Sequence, residues 1–160
     1  MMGIICFHNP DEENGYLSNW YPSCFRVDNI NYSSMEQFMM YQKAICFKDS
    51  DMAAQILAED DVSHIKQLGR LVERYNDHHW NGVRQIIVYN GLLAKFMQND
   101  NLRAMLLNTQ NAVLAECAVK DRIWGIGLSM KDADRFDRSK WKGQNLLGYA
   151  LMMVREKINS

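Results

Sequence analysis

Apolar positions along this chain change their period near residue 33. Before it they fall in short runs: residues 3–7 are a continuous apolar stretch, and residues 23–27 alternate loosely. Asp28-Asn29 then reads as a turn into Ile30-Asn31-Tyr32, so this third predicts short strands. After residue 33 the spacing is helical. Met35, Phe38, Met39, Gln42, Ile45 and Cys46 fall on one side of a helix, with Ser33 as its cap and Glu36 three residues on. A second helix starts at Asp49 or Ser50 and runs to Ala58; a third is capped by Ser63 and stops at Leu68 before Gly69.

The longest predicted helix covers 77–98, with Trp80, Val83, Ile87, Leu92 and Phe96 as its buried stripe and Gly91 as a weak point. A helix over 100–107 follows, then a strand over 112–118, and an amphipathic helix over 145–158 closes the chain. The sum is an α+β fold, mostly helical, with a small N-terminal β-sheet. With no repeat, linker or low-complexity tract, the expectation is a single domain over 1–160. Residues 120–143 break the regularity. A loop this long in a compact domain is functional or disordered as a rule, and this one holds Trp124 and Trp141. Disordered linkers are poor in aromatics, so the stretch reads as an ordered binding loop.

Composition narrows the class. With 48 % hydrophobic and 23 % charged residues the 160-residue chain is globular. Its net charge of −1 argues against a broad phosphate-binding surface and confines any nucleic-acid contact to a local patch. Cys6, Cys24, Cys46 and Cys117 are widely spaced, which suits free thiols in a reducing compartment. The apolar run at residues 1–7 is too short for a signal peptide, and no stretch approaches the roughly 18 residues of a membrane span. The expected location is the cytoplasm, with no membrane partner. The eleven methionines read as core filling.

Two groups of residues could carry chemistry. Glu36 and Lys43 lie seven apart, two turns along one helix face, with about 10 Å between their Cα atoms. A sugar-sized ligand could touch both, the carboxyl as acid or base and the amine as anchor or nucleophile. Equally, Glu36 could merely complete the Ser33 capping box while Lys43 lies on a solvated face. Trp124-Gly125-Ile126-Gly127 could bring backbone amides to a ligand beside a stacking indole, or could be a packed turn. His8, His64, His78 and His79 show no metal spacing, and no metal or tightly bound cofactor is expected.

The ordered motifs settle more than their spacing does. Gly15-Tyr16-Leu17-Ser18-Asn19-Trp20, then Phe25-x-Val27-Asp28, then Tyr32-x-Ser34-x-Glu36-Gln37-Phe38 with Gln42-Lys43-Ala44, form a first block. Leu68-Gly69-Arg70, Trp80, Ala94-Lys95-Phe96, Leu102-Arg103 and Leu106-Leu107-x-Thr109 follow. Asp121-x-x-Trp124-Gly125-Ile126-Gly127, Trp141-x-Gly143-x-Asn145-x-Leu147-Gly148 and Leu151-Met152-x-Val154-Arg155 close the set. In this order, over residues 7–158, they resemble the NADAR, or YbiA-like, family.

That resemblance implies a mostly helical α+β fold and N-glycosidase chemistry at ribose C1. Implied substrates are phosphoribosylamino-pyrimidine intermediates of riboflavin synthesis, ADP-ribose on guanine in nucleic acid, or NAD-derived ligands. It implies Glu36 as acid or base and Lys43 as the second catalytic group, with Schiff-base formation on the opened ribose as one precedent. Ser18, Asn19 and Asn145 are implied as hydrogen-bonders to ligand, Trp124 with Gly125 as a stacking wall, Asp121 as its neighbour and Arg70 as a phosphate contact, although Arg70 also suits a helix end. The other reading is a non-catalytic sensor of NAD or ADP-ribose. This chain departs from some riboflavin-type members in having Ile126 where they carry Asp, a variant that also occurs widely in the family. It also has a longer insert at 128–142, whose Lys131, Arg135, Arg138 and Lys140 point to a larger phosphorylated substrate, offset by Asp132, Asp134 and Asp137.

Overall fold

A computed structural model describes residues 3–160; Met1 and Met2, which begin the stretch read above as too short for a signal peptide, lie outside it. The described chain divides into two compact units, Pro22–Asn99 and the segment up to Tyr21 with Asp100–Ser160. The fold is α+β and mostly helical.

The Pro22–Asn99 unit opens with a hairpin, β2 (Phe25–Val27) and β3 (Ile30–Tyr32), following β1 (Ile4–Phe7) of the other unit. Asp28 and Asn29 both have positive φ, 50° and 66°, the left-handed pair that suits a tight hairpin turn. The register sets Phe25 opposite Tyr32, and both rings pack on Phe38 of helix α1 (Met35–Cys46), with centroids 5.8 and 5.0 Å away. Helix α1 packs in turn against α2 (Ser50–Leu57), α3 (Val62–Gly69) and α4 (Asp77–Met97). Two glycines permit this closeness. A Cβ at Gly91 of α4 would lie 2.5 Å from the Phe38 ring, and one at Gly69 2.0 Å from Met40 Sδ. Gly91 is thus a docking point for a ring, and Gly69 ends inside α3 as a packing contact.

Helix caps correct the sequence reading by a residue or two. The α1 cap is Ser34, whose Oγ accepts the Gln37 N–H at 3.1 Å; Gln37 Oε1 reaches back to the Ser33 N–H at 2.8 Å. The Gln37 amide also donates to the Ile56, Leu57 and Glu59 carbonyls at the end of α2, serving two helix ends at once. Asp61 caps α3 instead of Ser63, because its carboxylate, two residues earlier, accepts the His64 N–H at 3.1 Å. Within the α4 stripe Trp80, Leu92 and Phe96 are buried, joined by Val88 and Lys95, whereas Val83 and Ile87 are half-buried.

In the other unit β1 pairs in parallel with β4 (Val113–Glu116), Phe7 standing opposite Glu116. Strands therefore form two separate pairs, one of which joins the N-terminus to a segment more than a hundred residues later. Helix α5 (Asp100–Asn108) packs on α6 (Leu146–Asn159), and α6 lies on β4 so closely that a Cβ at Gly148 would sit 2.0 Å from the Leu114 carbonyl oxygen. Residues 120–143 contain two 3-10 turns, Ala133–Phe136 and Arg138–Lys140, capped by Asp132 and Asp137. The loop closes on itself: Lys142 N–H donates to Ile126, Gln144 to Arg122 and Asn145 to Gly125 carbonyls, at 2.8–3.0 Å. Among the described residues no helix is long and apolar enough to cross a membrane.

Candidate functional site

Glu36 stands in the first turn of α1, only 5 % exposed. Because Ser34 and Gln37 do the capping, the capping-box role that the sequence allowed for Glu36 is not its role. A carboxylate in a helix's first turn faces the positive end of the backbone dipole. Two turns on, Lys43 is half-buried with its Nζ 4.5 Å above the Tyr75 ring. Burial holds its ammonium below the usual lysine value; Glu36 opposes this, Arg70 reinforces it, and Asp77 opposes it again. Lys43 therefore gathers Glu36, Arg70 and Asp77 into one electrostatic group, and this α1 face is not simply solvated.

Tyr75 and Asp77 were not singled out by sequence as site residues. The Tyr75 hydroxyl donates to Asp77 Oδ1 at 2.8 Å, and burial with that bond pushes it up to about 12. Their only sequence signal was position, just ahead of a long helix. Arg70 is exposed at the end of α3, its N–H closing the helix on the Lys66 and Gln67 carbonyls. Its guanidinium faces solvent close enough to Lys43 to act on it.

In the other unit the motif residues are engaged with backbone. Asp121 Oδ1 accepts the Ile123 and Trp124 N–H groups at 3.0 and 2.9 Å, folding the turn that presents the half-buried Trp124. Gly125 is buried, and a Cβ there would lie 2.9 Å from both the Asp121 and Glu116 carbonyl oxygens. Asn145 is fully buried at φ 55°; its Oδ1 accepts the Glu116 N–H at 3.0 Å and its Nδ2 donates to the Leu114 carbonyl at 2.9 Å. The side chain thus acts as a surrogate strand along the edge of β4. Ser18 Oγ, 5 % exposed, accepts the Trp20 N–H at 3.1 Å. Asn19 differs: its Oδ1 is buried with no hydrogen-bond partner among the described residues.

The basic insert also reads differently in three dimensions. Lys140 pairs with Asp134 at 2.9 Å, Arg135 donates to the Asp132 carbonyl and Arg138 to the Tyr149 hydroxyl, both at 2.8 Å. Trp141 Nε1 donates to the Arg135 carbonyl, and its ring packs on Cys6, Ala115, Cys117, Ile126 and Leu128. These three cations brace the loop, so they make a weaker case for a phosphate surface than their sequence spacing did.

A chain with one helical unit carrying a buried carboxyl and a half-buried amine, and another unit carrying a tryptophan turn on a parallel strand pair, has counterparts among known proteins. The NADAR domain model matches residues 6–159. The chain belongs to the NADAR family and is an enzyme of the N-glycosyl hydrolase type that its relatives represent. It is similar to N-glycosidase R617 of Acanthamoeba polyphaga mimivirus, 35 % identical over 161 residues, covering 96 % of this chain and 95 % of that protein. Riboflavin biosynthesis protein VVA0006 of Vibrio vulnificus (strain YJ016) is 32 % identical over 96 % of this chain, which spans 38 % of that protein. The NMR structure of the E. coli protein YbiA matches with a TM-score of 0.82 at 29 % identity, covering 99 % of this chain and 87 % of that one.

Proposed function

We propose that this enzyme hydrolyses the bond between C1 of a phosphorylated ribose and a nitrogen base, with Glu36 and Lys43 as its catalytic residues. The observation that carries the reading is the α1 face. A carboxyl spared from capping and an ammonium lowered by burial stand two turns apart, with an exposed guanidinium nearby. Glu36 protonates the departing base nitrogen or takes a proton from a ribose hydroxyl. Water or the Lys43 amine meets the positive charge left at C1, and the depressed lysine raises the share of neutral amine available for attack. Arg70 takes a phosphate oxygen, for which its fork of donors is suited.

Trp124, on a turn held by Asp121 and Gly125, is the indole assigned to stack on a base. Asn19 Oδ1, a buried acceptor lacking a partner, is assigned a ligand N–H or O–H donor, with Ser18 beside it. Asn145 contributes by holding β4. Substrates of this class are ADP-ribose linked to guanine and phosphoribosylamino-pyrimidines, and four free cysteines suit a reducing cytoplasm.

Incubation of the purified protein with each substrate, following released base by mass spectrometry, tests the reading. Release from one and not the other assigns the substrate. Binding of ADP-ribose, seen as a raised melting temperature, without release from either substrate would overturn hydrolysis in favour of a sensor.

A further inference from the structure

Parallel pairing sends β1 and β4 out at the same end, and the register places Phe7 opposite Glu116 there. His8 follows β1 directly, so sequence-distant His8 and Glu116 become neighbours: His8 Nδ1 lies 3.6 Å from Glu116 Oε1. The two differ in exposure. The imidazole is 43 % exposed, whereas the carboxyl behind it is 13 % exposed. Both strands present their carboxyl ends here.

Glu116 is held from several sides. Its N–H donates to Asn145 Oδ1 and its carbonyl accepts the Ile126 N–H at 2.8 Å. The next residue, Cys117, donates to the Phe7 carbonyl, and Gly125 leaves just enough room for the Glu116 oxygen. Three motif residues of this unit, Gly125, Ile126 and Asn145, thus converge on a residue that no motif reading picked out. Yet Glu116 Oε2 is buried and has no hydrogen-bond partner among the described residues. A carboxyl kept this way is a net burden on stability unless something else uses it.

We propose that His8 is a proton-transferring residue of this enzyme and that Glu116 is its positioning residue, a buried carboxyl steadying an exposed imidazole. The inference rests on the N-glycosidase reading and deepens it. As the C1–N bond breaks, its electron pair stays on the base nitrogen, which takes the proton from the His8 imidazolium; solvent then reprotonates the ring. Glu116 stabilises the charged ring without surrendering a proton of its own. At 3.6 Å the pair is longer than a hydrogen bond, a looseness expected of catalytic contacts without ligand.

The charged neighbours fit this arrangement. Burial raises the Glu116 carboxyl above the usual range, His8 lowers it and Asp121, on the turn beyond β4, raises it again. On the strand side Cys6 and Cys117 face Arg135, whose charge acts on both thiols.

The test uses the full chain, His8→Asn and Glu116→Gln, on guanine-linked ADP-ribose and a phosphoribosylamino-pyrimidine. Loss of His8 lowers kcat by roughly a hundredfold or more. Glu116→Gln lowers it by about tenfold and moves the alkaline limb of the kcat/KM profile to lower pH, because the imidazolium loses its carboxylate. NMR titration of the His8 ring reads the same shift without substrate. Turnover by the wild type beside undiminished His8→Asn overturns the His8 assignment alone. An unmoved His8 titration in folded Glu116→Gln overturns the Glu116 part. A wild type that releases neither base overturns the hydrolase reading itself.

Discussion

The two units use polar side chains in opposite ways. Around Trp124, Asp121 and Asn145 spend their oxygens on backbone N–H groups, and the insert's Lys140, Arg135 and Arg138 brace the loop that holds them. Along α1 the N-terminal cap is made by Ser34 and Gln37, so capping is not the role of Glu36 or Lys43. Residues within one family signature therefore divide into those whose side chains are spent on backbone and those proposed to do chemistry. Burial does not separate them, since Glu36 and Asn145 are both buried; the Asn145 amide is set apart by its two bonds to the β4 backbone.

The strongest test of this contrast is activity against stability. Glu36→Gln and Lys43→Ala should each cut turnover by about two to four orders of magnitude while leaving the urea midpoint close to wild type. Wild-type rates in variants that still bind ligand would sink the assignment. Asn145→Ala should behave inversely. It strips two hydrogen bonds from the buried edge of β4 and leaves alanine at positive φ, for a loss of about 2–4 kcal/mol in denaturant melts. Any activity deficit there should vanish when rates are corrected for the folded fraction.

A second lysine sharpens the comparison within the helical unit. Lys95 of α4 is fully buried, and loss of water pulls its amine down to about 7. Between about 7 and the ordinary 10.5 the unfolded chain binds one more proton than the folded chain, so this residue makes stability rise with pH through that window. Lys95→Met should flatten that slope in thermal melts taken from pH 6 to 10. A slope left intact would show that another group sets it.

The smallest expected effect separates the two serines before α1. Ser34→Ala removes the cap and should lose about 1 kcal/mol, and Ser33→Ala markedly less. The reverse order in urea melts would return Glu36 to the capping box and weaken its claim to chemistry.

Local order was legible in the chain because it depends on neighbours three or four residues apart. The helical period over α1, the Asp28-Asn29 turn, the long helix after Asn76 and the closing helix all follow from such spacing. Glu36 and Lys43 were legible as a pair for the same reason, since both lie on one helix face. Caps were readable only to within a residue or two, because a serine, aspartate or asparagine at either of two positions satisfies the same rule until the backbone chooses one.

Other features arise only when distant segments meet. Strand β1 finds its partner in β4, which no local pattern announces, and with that pairing come His8 and Glu116 as neighbours. The edge of β4 consumes the Asn145 amide, and the Tyr75 ring meets Lys43 only once α1 and the segment ahead of α4 are packed. The sequence by itself determined which stretches are helix, strand and turn, and which residue types are available for chemistry. Tertiary structure decided which of those residues are spent on backbone and which are set among charged and aromatic neighbours, because burial and hydrogen-bond partners are properties of segments brought together in space.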